Sequence, residues 1–561
     1  MISQKRWWYA VWLILIGGFA VLHALHLRAD FPNHSPWWMD WAKYTDEGWY
    51  GNAAIRAHLH GNWYLPGDFN PAAALPVWPF LEWLLFFATG VSVQAARGLA
   101  IAFFFANLLL SYLLLRTRGP RWMALLALTL LVTSPFLYCF TRLAILEPLL
   151  ATLTLGAVNL AVRLPRFRRP VVVSAGIGLL FTLMLLTKTY AVFLLPAVGW
   201  AMVLPLWRSR RLALGPLQAS LGPMGRRVIL RCVAAASCAS MVSYAAWMAL
   251  VIRLGLLPDY EYLFYINKFV KPHQFYWPLI SLWWSFHGGL WVDRILIPMA
   301  GLVLVGASVS ARSSWARRLL LDPVFGTSVL AVAGTILFMT YQDHPQPRYF
   351  SVAAFFSFFM VAQGANALLG SADACGEPDV RERGIRRGPA RMAGLVVVGA
   401  VAVAVGVNAA WTLDYALHPE YSFVNAAERL TRYIDGHPNG NPMLVSVSGD
   451  EIMLVTHQAA LNDLFTSPTP VLALPDLASK LAYYRPGWYA CWNQLDRGAL
   501  EDLHSRYSVE QVASFRAFDD SKRNVLVLFK LHPWPTGQVY DPADENLQVR
   551  LPEDKFDIPL Q

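Results

Sequence analysis

Charged residues are scarce in this chain: Asp, Glu, Lys and Arg make up 15% of its 561 residues, against roughly 25% in a soluble globular domain. Together with 56% hydrophobic residues and a mean hydropathy of +0.39, that deficit excludes a water-soluble enzyme. Cysteine is sparse as well. Cys139, Cys232, Cys238, Cys375 and Cys491 show no paired spacing, and at least two lie inside apolar runs, so neither a disulfide framework nor a cysteine zinc site is indicated. Acidic residues are outnumbered by basic ones, 36 to 46. The basic residues fall in short clusters between apolar runs, which marks them as topology signals and excludes nucleic acid as a partner. The first apolar stretch, Trp8 to Leu27, lacks a small-residue cleavage site and is long for the core of a signal peptide. It reads as a retained helix.

What the chain has instead is aromatics, 14% with 23 Trp, as in membrane-interface belts, and a series of long apolar runs. A helix needs roughly 20 apolar residues to cross a bilayer. After Trp8–Leu27, the candidates are Gln94–Leu115, Trp122–Leu137, Leu143–Val162, Val171–Leu186, Ala191–Trp207, Cys232–Ile252, Ile295–Ser310, Val324–Tyr341, Phe350–Leu369 and Met392–Trp411. The fold class is therefore a mostly α, polytopic membrane protein of about 11 spans. Leu75–Ala88 is also apolar, but Pro76, Pro79 and Glu82 interrupt it, and it is read as a helix lying in the outer interface.

That count sets a sidedness. Lys5 and Arg6, then Arg116, Arg118 and Arg121, then Arg163, Arg166, Arg168 and Arg169 fall on one side, as do the basic clusters at 208–231, 312–318 and 381–391. The positive-inside rule makes this side cytoplasmic. Residues 1–411 then form the transmembrane domain, with a first outer loop at 28–93. Residues 412–561 form a small extracytoplasmic α/β domain of ordinary size. Within it, Phe423–Ile434 reads as an amphipathic helix, and Met443–Val447, Val512–Phe518 and Asn524–Lys530 read as strands. The bacterial inner membrane is the expected location.

On this topology Asp46, Glu47, Arg142, Glu147, Lys188, the loop 253–294 and the segment 342–348 share the outer face. Adjacent acids beside a membrane are costly unless solvated or used; their plainer reading is as helix-start acids favoured by the dipole. Arg142 and Glu147 orient an acceptor or hold the first loop, with a local ion pair as the plainer reading. Lys188 stands where outer segments otherwise avoid Lys and Arg; it contacts a phosphate or snorkels to headgroups. Arg348 suits bidentate phosphate recognition, with pairing to Asp343 as the alternative. Lys268, Lys271 and His273, interleaved with aromatics, read as an interfacial segment or as a clamp on a lipid phosphate. Asp343-His344 is too small a set for a metal site. No cofactor is expected, and a divalent cation is unsupported.

Asp46-Glu47-Gly48-Trp49-Tyr50 followed by Gly61-Asn62-Trp63-Tyr64-Leu65-Pro66 resembles the first outer loop of GT-C glycosyltransferases, in particular the lipid A aminoarabinose transferase and protein O-mannosyltransferase group. Ser134-Pro135 with Arg142 and Glu147, Leu186-Thr187-Lys188-Thr189-Tyr190, and Pro347-Arg348-Tyr349 are similar to three further stretches of that group. There are departures: Glu147 stands where Asp is common, Asn70-Pro71-Ala72 replaces Lys-Pro-Pro, and Thr189-Tyr190 replaces Gly-Pro. The resemblance implies transfer of a sugar, with inversion, from a polyprenyl-phosphate carrier to a lipid, glycan or protein acceptor. It implies Asp46 as the base, with Glu47 supporting it or orienting the acceptor. Arg142, Glu147, Lys188, Lys268, Lys271, His273, Arg348 and Tyr349 would bind substrate. Physics makes the same demand, because nucleotide sugars are kept inside and an outward-facing transferase needs its donor delivered by lipid. The alternative is a transporter or flippase for lipid-linked glycans, which would place charges and broken helices near the bilayer centre. A non-catalytic anchor is a third reading.

Overall fold

The computed structural model describes residues 2–37, 40–67, 69, 71–212, 226–266, 296–340, 346–370, 387–463, 474, 476–493, 497–519 and 523–534. Each predicted span carries helix over most of its described residues, and the chain is an integral membrane protein. Among the described residues, eight helices are long and apolar enough to cross a bilayer. The helices are α1 (Ile2–Ala24), α2 (Asp46–His60), α3 (Val77–Thr89), α4 (Val93–Arg116), α5 (Arg121–Thr133), α6 (Pro135–Thr141) and α7 (Leu146–Arg163). Next come α8 (Pro170–Thr187), α9 (Leu195–Leu212), α10 (Arg226–Arg253) and α11 (Leu257–Ile266). The membrane part closes with α12 (Leu296–Val309), α13 (Ser314–Leu320), α14 (Pro323–Met339), α15 (Ser351–Gly370) and α16 (Arg387–Leu417).

Three predicted spans depart from a plain long helix. The run 122–137 is broken into α5 and α6, bent by 66° where Pro135 takes the first helical position and Ser134 Oγ accepts from the Leu137 amide at 3.3 Å. Proline is pre-set for such a start and cannot continue the preceding helix. Helices α12 and α14 have 14 and 17 residues, short of the usual span length. Helix α3 has 13 residues, about 20 Å at 1.5 Å per residue; that is too short to cross.

Helices α8 and α10 approach closely. A Cβ on Gly178 would lie 2.0 Å from the Ala236 carbonyl oxygen, so only glycine fits. Beside it, Thr182 Oγ1 lies 2.8 Å from Ser243 Oγ and 3.1 Å from the Ser240 carbonyl. Small residues and hydroxyls are how helices associate in lipid.

After α16 the chain enters a five-stranded sheet domain. Helix α17 (Ser422–Gly436) buries Phe423, Ala427, Leu430 and Ile434, a single stripe at helical spacing. Strand β1 (Leu444–Ser446) pairs in parallel with β2 (Ala460–Leu461) and β3 (Trp488–Trp492). Strand β5 (Val525–Pro533) runs antiparallel to β3 and to β4 (Tyr507–Arg516), giving the order β2-β1-β3-β5-β4. Helices α18 (Gly449–Thr456), α19 (Leu477–Tyr484) and α20 (Arg497–His504) complete it. All three predicted strand segments fall on β1, β4 and β5. The sheet domain docks on the first loop. Asp30 accepts from the amides of Phe423 at 2.7 Å and Val424 at 3.3 Å, capping α17.

Candidate functional site

Asp46 opens α2, and its carboxylate lies 2.6 Å from the Arg348 guanidinium. Arg348 stands in the single turn Pro347–Phe350 that leads into α15. Asp40 holds it from a second direction, accepting the Arg348 backbone amide at 3.0 Å and pairing with the guanidinium. Asp40 is itself fixed, because its other oxygen caps the turn Trp41–Lys43 through the Ala42 amide at 2.9 Å. Glu147, in the first turn of α7, lies 3.9 Å from Arg348 Nε and pairs with Lys188, the residue that ends α8. Around Lys188 Nζ stand the rings of Tyr349 at 4.6 Å, Tyr50 at 5.7 Å and Tyr190 at 5.8 Å.

Three carboxylates and two cations are thus gathered from the first loop, α7, the end of α8 and the start of α15. Asp46, Glu147, Lys188 and Arg348 are all at least nine-tenths buried. Burying charge costs several kcal/mol per ion unless the partners are well placed, so this five-member cluster at the helix ends is the candidate functional site. It retains unused capacity: Glu147 Oε2, Arg348 Nε and the Tyr190 hydroxyl have no hydrogen-bond partner. Burial pushes the Asp46 carboxyl above its ordinary range, which Arg348 opposes and Asp40 reinforces. Burial also lowers Lys188, with Glu147 acting the other way. Two cations, one with an unpartnered N–H at Arg348 Nε, beside a carboxylate of raised basicity, can hold an anion while a proton is removed next to it.

Other candidates lie elsewhere. Glu47 does not face this cluster. Neighbouring helical residues diverge by about 100°, and Glu47 takes both Nε and Nη2 of Arg97 at 2.7 and 2.5 Å, plus the Ala144 amide at 2.7 Å. Arg97 also reaches the Leu27 and Ala29 carbonyls. Glu47 is therefore a clamp for the loop, and its expected place beside the base or acceptor is corrected. Arg142 does not pair with Glu147 or join the cluster. It donates to the Leu25 and His26 carbonyls at 2.5 and 2.7 Å and lies over the Tyr138 ring. Lys268, Lys271 and His273 lie outside the described residues, as does Asp343. Asp40 was not singled out from the sequence; the one signal was a lone acid between Trp37-Trp38 and Trp41, where solvation is poor. Among the described residues no three His, Cys, Asp or Glu side chains group as for a metal ion.

No family model and no curated protein matches the chain. Solved structures do. ArnT from Cupriavidus metallidurans bound to undecaprenyl phosphate superposes with a TM-score of 0.59 over 92% of this chain and 98% of that one, at 13% identity. The same protein in its apo state gives a TM-score of 0.58 over 93% and 98%, at 14% identity. The fold is GT-C. Coverage of nearly the full length on both sides means that the GT-C likeness takes in the sheet domain as well as the helices.

Proposed function

We propose that this chain is a membrane glycosyltransferase that moves a sugar from a polyprenyl-phosphate carrier to an acceptor hydroxyl on the extracytoplasmic face, with inversion. The observation that carries this reading is the Asp46–Arg348–Glu147–Lys188 cluster, assembled from four separated segments at one end of the bundle. The neighbour in the same fold was solved with undecaprenyl phosphate bound, which is the carrier chemistry proposed here.

In the reaction, the acceptor oxygen bonds to the anomeric carbon as the bond from that carbon to the phosphate oxygen breaks. The bonding pair leaves with the phosphate. Arg348 and Lys188 stabilise its growing charge, with Tyr190 as a further hydroxyl donor. The acceptor proton passes to Asp46, whose carboxylate is made more basic by burial than an ordinary aspartate. Glu147 keeps Lys188 directed at the phosphate. Residues 1–411 carry the chemistry, and residues 412–561 cover it from outside. The charges sit at helix ends, whereas a transporter would place them at the bilayer midplane. Glycolipid, glycan and glycoprotein profiling of a deletion strain, complemented with wild type or Asp46→Asn, tests the proposal. A product restored by wild type and not by Asp46→Asn is expected; a product restored equally by both overturns it.

A further inference from the structure

The sheet domain reaches under the base-bearing helix at a defined place. Helix α2 begins without a cap of its own, since the Thr45 side chain makes no capping hydrogen bond, although the first-turn amides of any helix need an acceptor. That acceptor comes from 403 residues away. Glu451 Oε2 accepts the Gly48 amide at 2.8 Å, two residues beyond Asp46. Glu451 is 1% exposed, and burial together with the neighbouring Glu47 raises its carboxyl, while Arg97 opposes this. The backbones touch as well: a Cβ on Gly48 would lie 2.2 Å from the Asp450 carbonyl group. Two turns further on, Arg56 pairs with Asp450 at 3.0 Å, both side chains at most 2% exposed. Asp450 in turn lies 3.4 Å from Asn462 Nδ2, just after β2. So α18 grips α2 at its first-turn amide and at Arg56, and the grip is anchored in the sheet.

We infer that Glu451 is a positioning residue for Asp46: it caps α2 from the outer domain and so fixes where the base carboxylate stands relative to Arg348. The inference rests on the proposed role of Asp46. It gives the sheet domain a part in the reaction that does not depend on contact with substrate. Displacing a catalytic group by about 1 Å can cost on the order of 100-fold in rate. A cap on the first turn controls displacement of that size.

The test uses the full chain in native membranes, with Glu451→Leu, Glu451→Gln, Gly48→Ala and Asp46→Asn. Two quantities are measured: hydrogen exchange of the peptide spanning residues 46–56, and the initial rate of forming the product whose loss marks the deletion strain. In Glu451→Leu, exchange in the first turn of α2 should rise and the rate should fall roughly 10- to 100-fold. Glu451→Gln keeps an acceptor oxygen and should restore both. Gly48→Ala should behave like Glu451→Leu although Glu451 is present. The inference is overturned if Glu451→Leu leaves either quantity unchanged, or if glutamine rescues no better than leucine. Should Asp46→Asn remain active, the functional reading falls instead, and the exchange measurement still reports whether Glu451 holds the helix.

Discussion

Arg348 lies 2.6 Å from Asp46 while its backbone amide is held at 3.0 Å by Asp40. One arginine is thereby fixed against two carboxylates, only one of which is committed to the local fold. Asp40 spends an oxygen on the Ala42 amide; among the described residues Asp46 receives the Thr45 hydroxyl, at 3.1 Å, besides the guanidinium. In the proposed reaction, a phosphate entering here would compete with Asp46 for Arg348 and so free the carboxylate to act as base.

Asp46→Asn should lower the transfer rate by roughly 10²- to 10⁴-fold, the usual worth of general-base catalysis, with little change in melting temperature. Because the carboxyl is raised by burial and acts in its ionised form, the wild-type rate should fall on acidification at a pH above the ordinary aspartate range. Rates across a pH series in isolated membranes check both statements.

Asp40→Asn separates the two acids. It removes the charge that pairs with Arg348 without removing the base, so a fall in stability with a smaller loss of rate than in Asp46→Asn is expected. Arg348→Leu leaves both acids buried without their cation and should destabilise by about 3–5 kcal/mol. Arg348→Lys keeps the charge but cannot span both partners. It should recover stability in part and activity hardly at all. Thermal unfolding in detergent, set beside rate measurements, distinguishes these cases.

Lys188 and Glu147 should prove coupled. Lys188→Met and Glu147→Gln each strand a buried partner, and the double substitution should cost less than the sum of the two by about 0.5–3 kcal/mol. Lys188→Met should also weaken binding of undecaprenyl phosphate by roughly 10-fold or more, the value of one charge-assisted hydrogen bond. Additive losses, or unchanged binding, would count against the phosphate role.

The join between the first loop and the sheet domain should be sensitive to pH. Asp30 caps α17, and burial raises its carboxyl to about 6 from 3.8. A raised folded value means that the stability this carboxyl contributes is fully present below 3.8 and is lost as pH rises through about 6. The span of the effect is about 3 kcal/mol. Melting temperature should therefore rise as pH falls from 7 to 5, and Asp30→Asn should flatten that part of the curve.

The spans were legible because the length of an apolar run is a direct readout of bilayer thickness; among the described residues eight helices are long and apolar enough to cross, against the eleven expected. Lys188 and Arg348 could be seen because cations stand out at the ends of such runs. What stayed hidden depends on direction and distance. Nothing in the pair Asp46-Glu47 tells which side chain faces Arg348 and which faces Arg97. Arg142 reaches the Leu25 and His26 carbonyls, not the Glu147 that a local ion pair would have used. Asp40 lacks a motif, and Glu451 meets Gly48 across most of the chain. In the sheet domain β4 begins at Tyr507, earlier than expected, because the register shift between Gln511 and Ala513 interrupts the alternation that Tyr507-Ser508-Val509-Glu510 begins.

Helix α10 is tied to its neighbour through Gly178, Thr182, Ser240 and Ser243, contacts that owe nothing to the expulsion of water. Its grip should therefore survive where oily side chains would let go, as long as the surroundings stay dry. Solubilisation that admits water along that seam would offer those hydroxyls other partners.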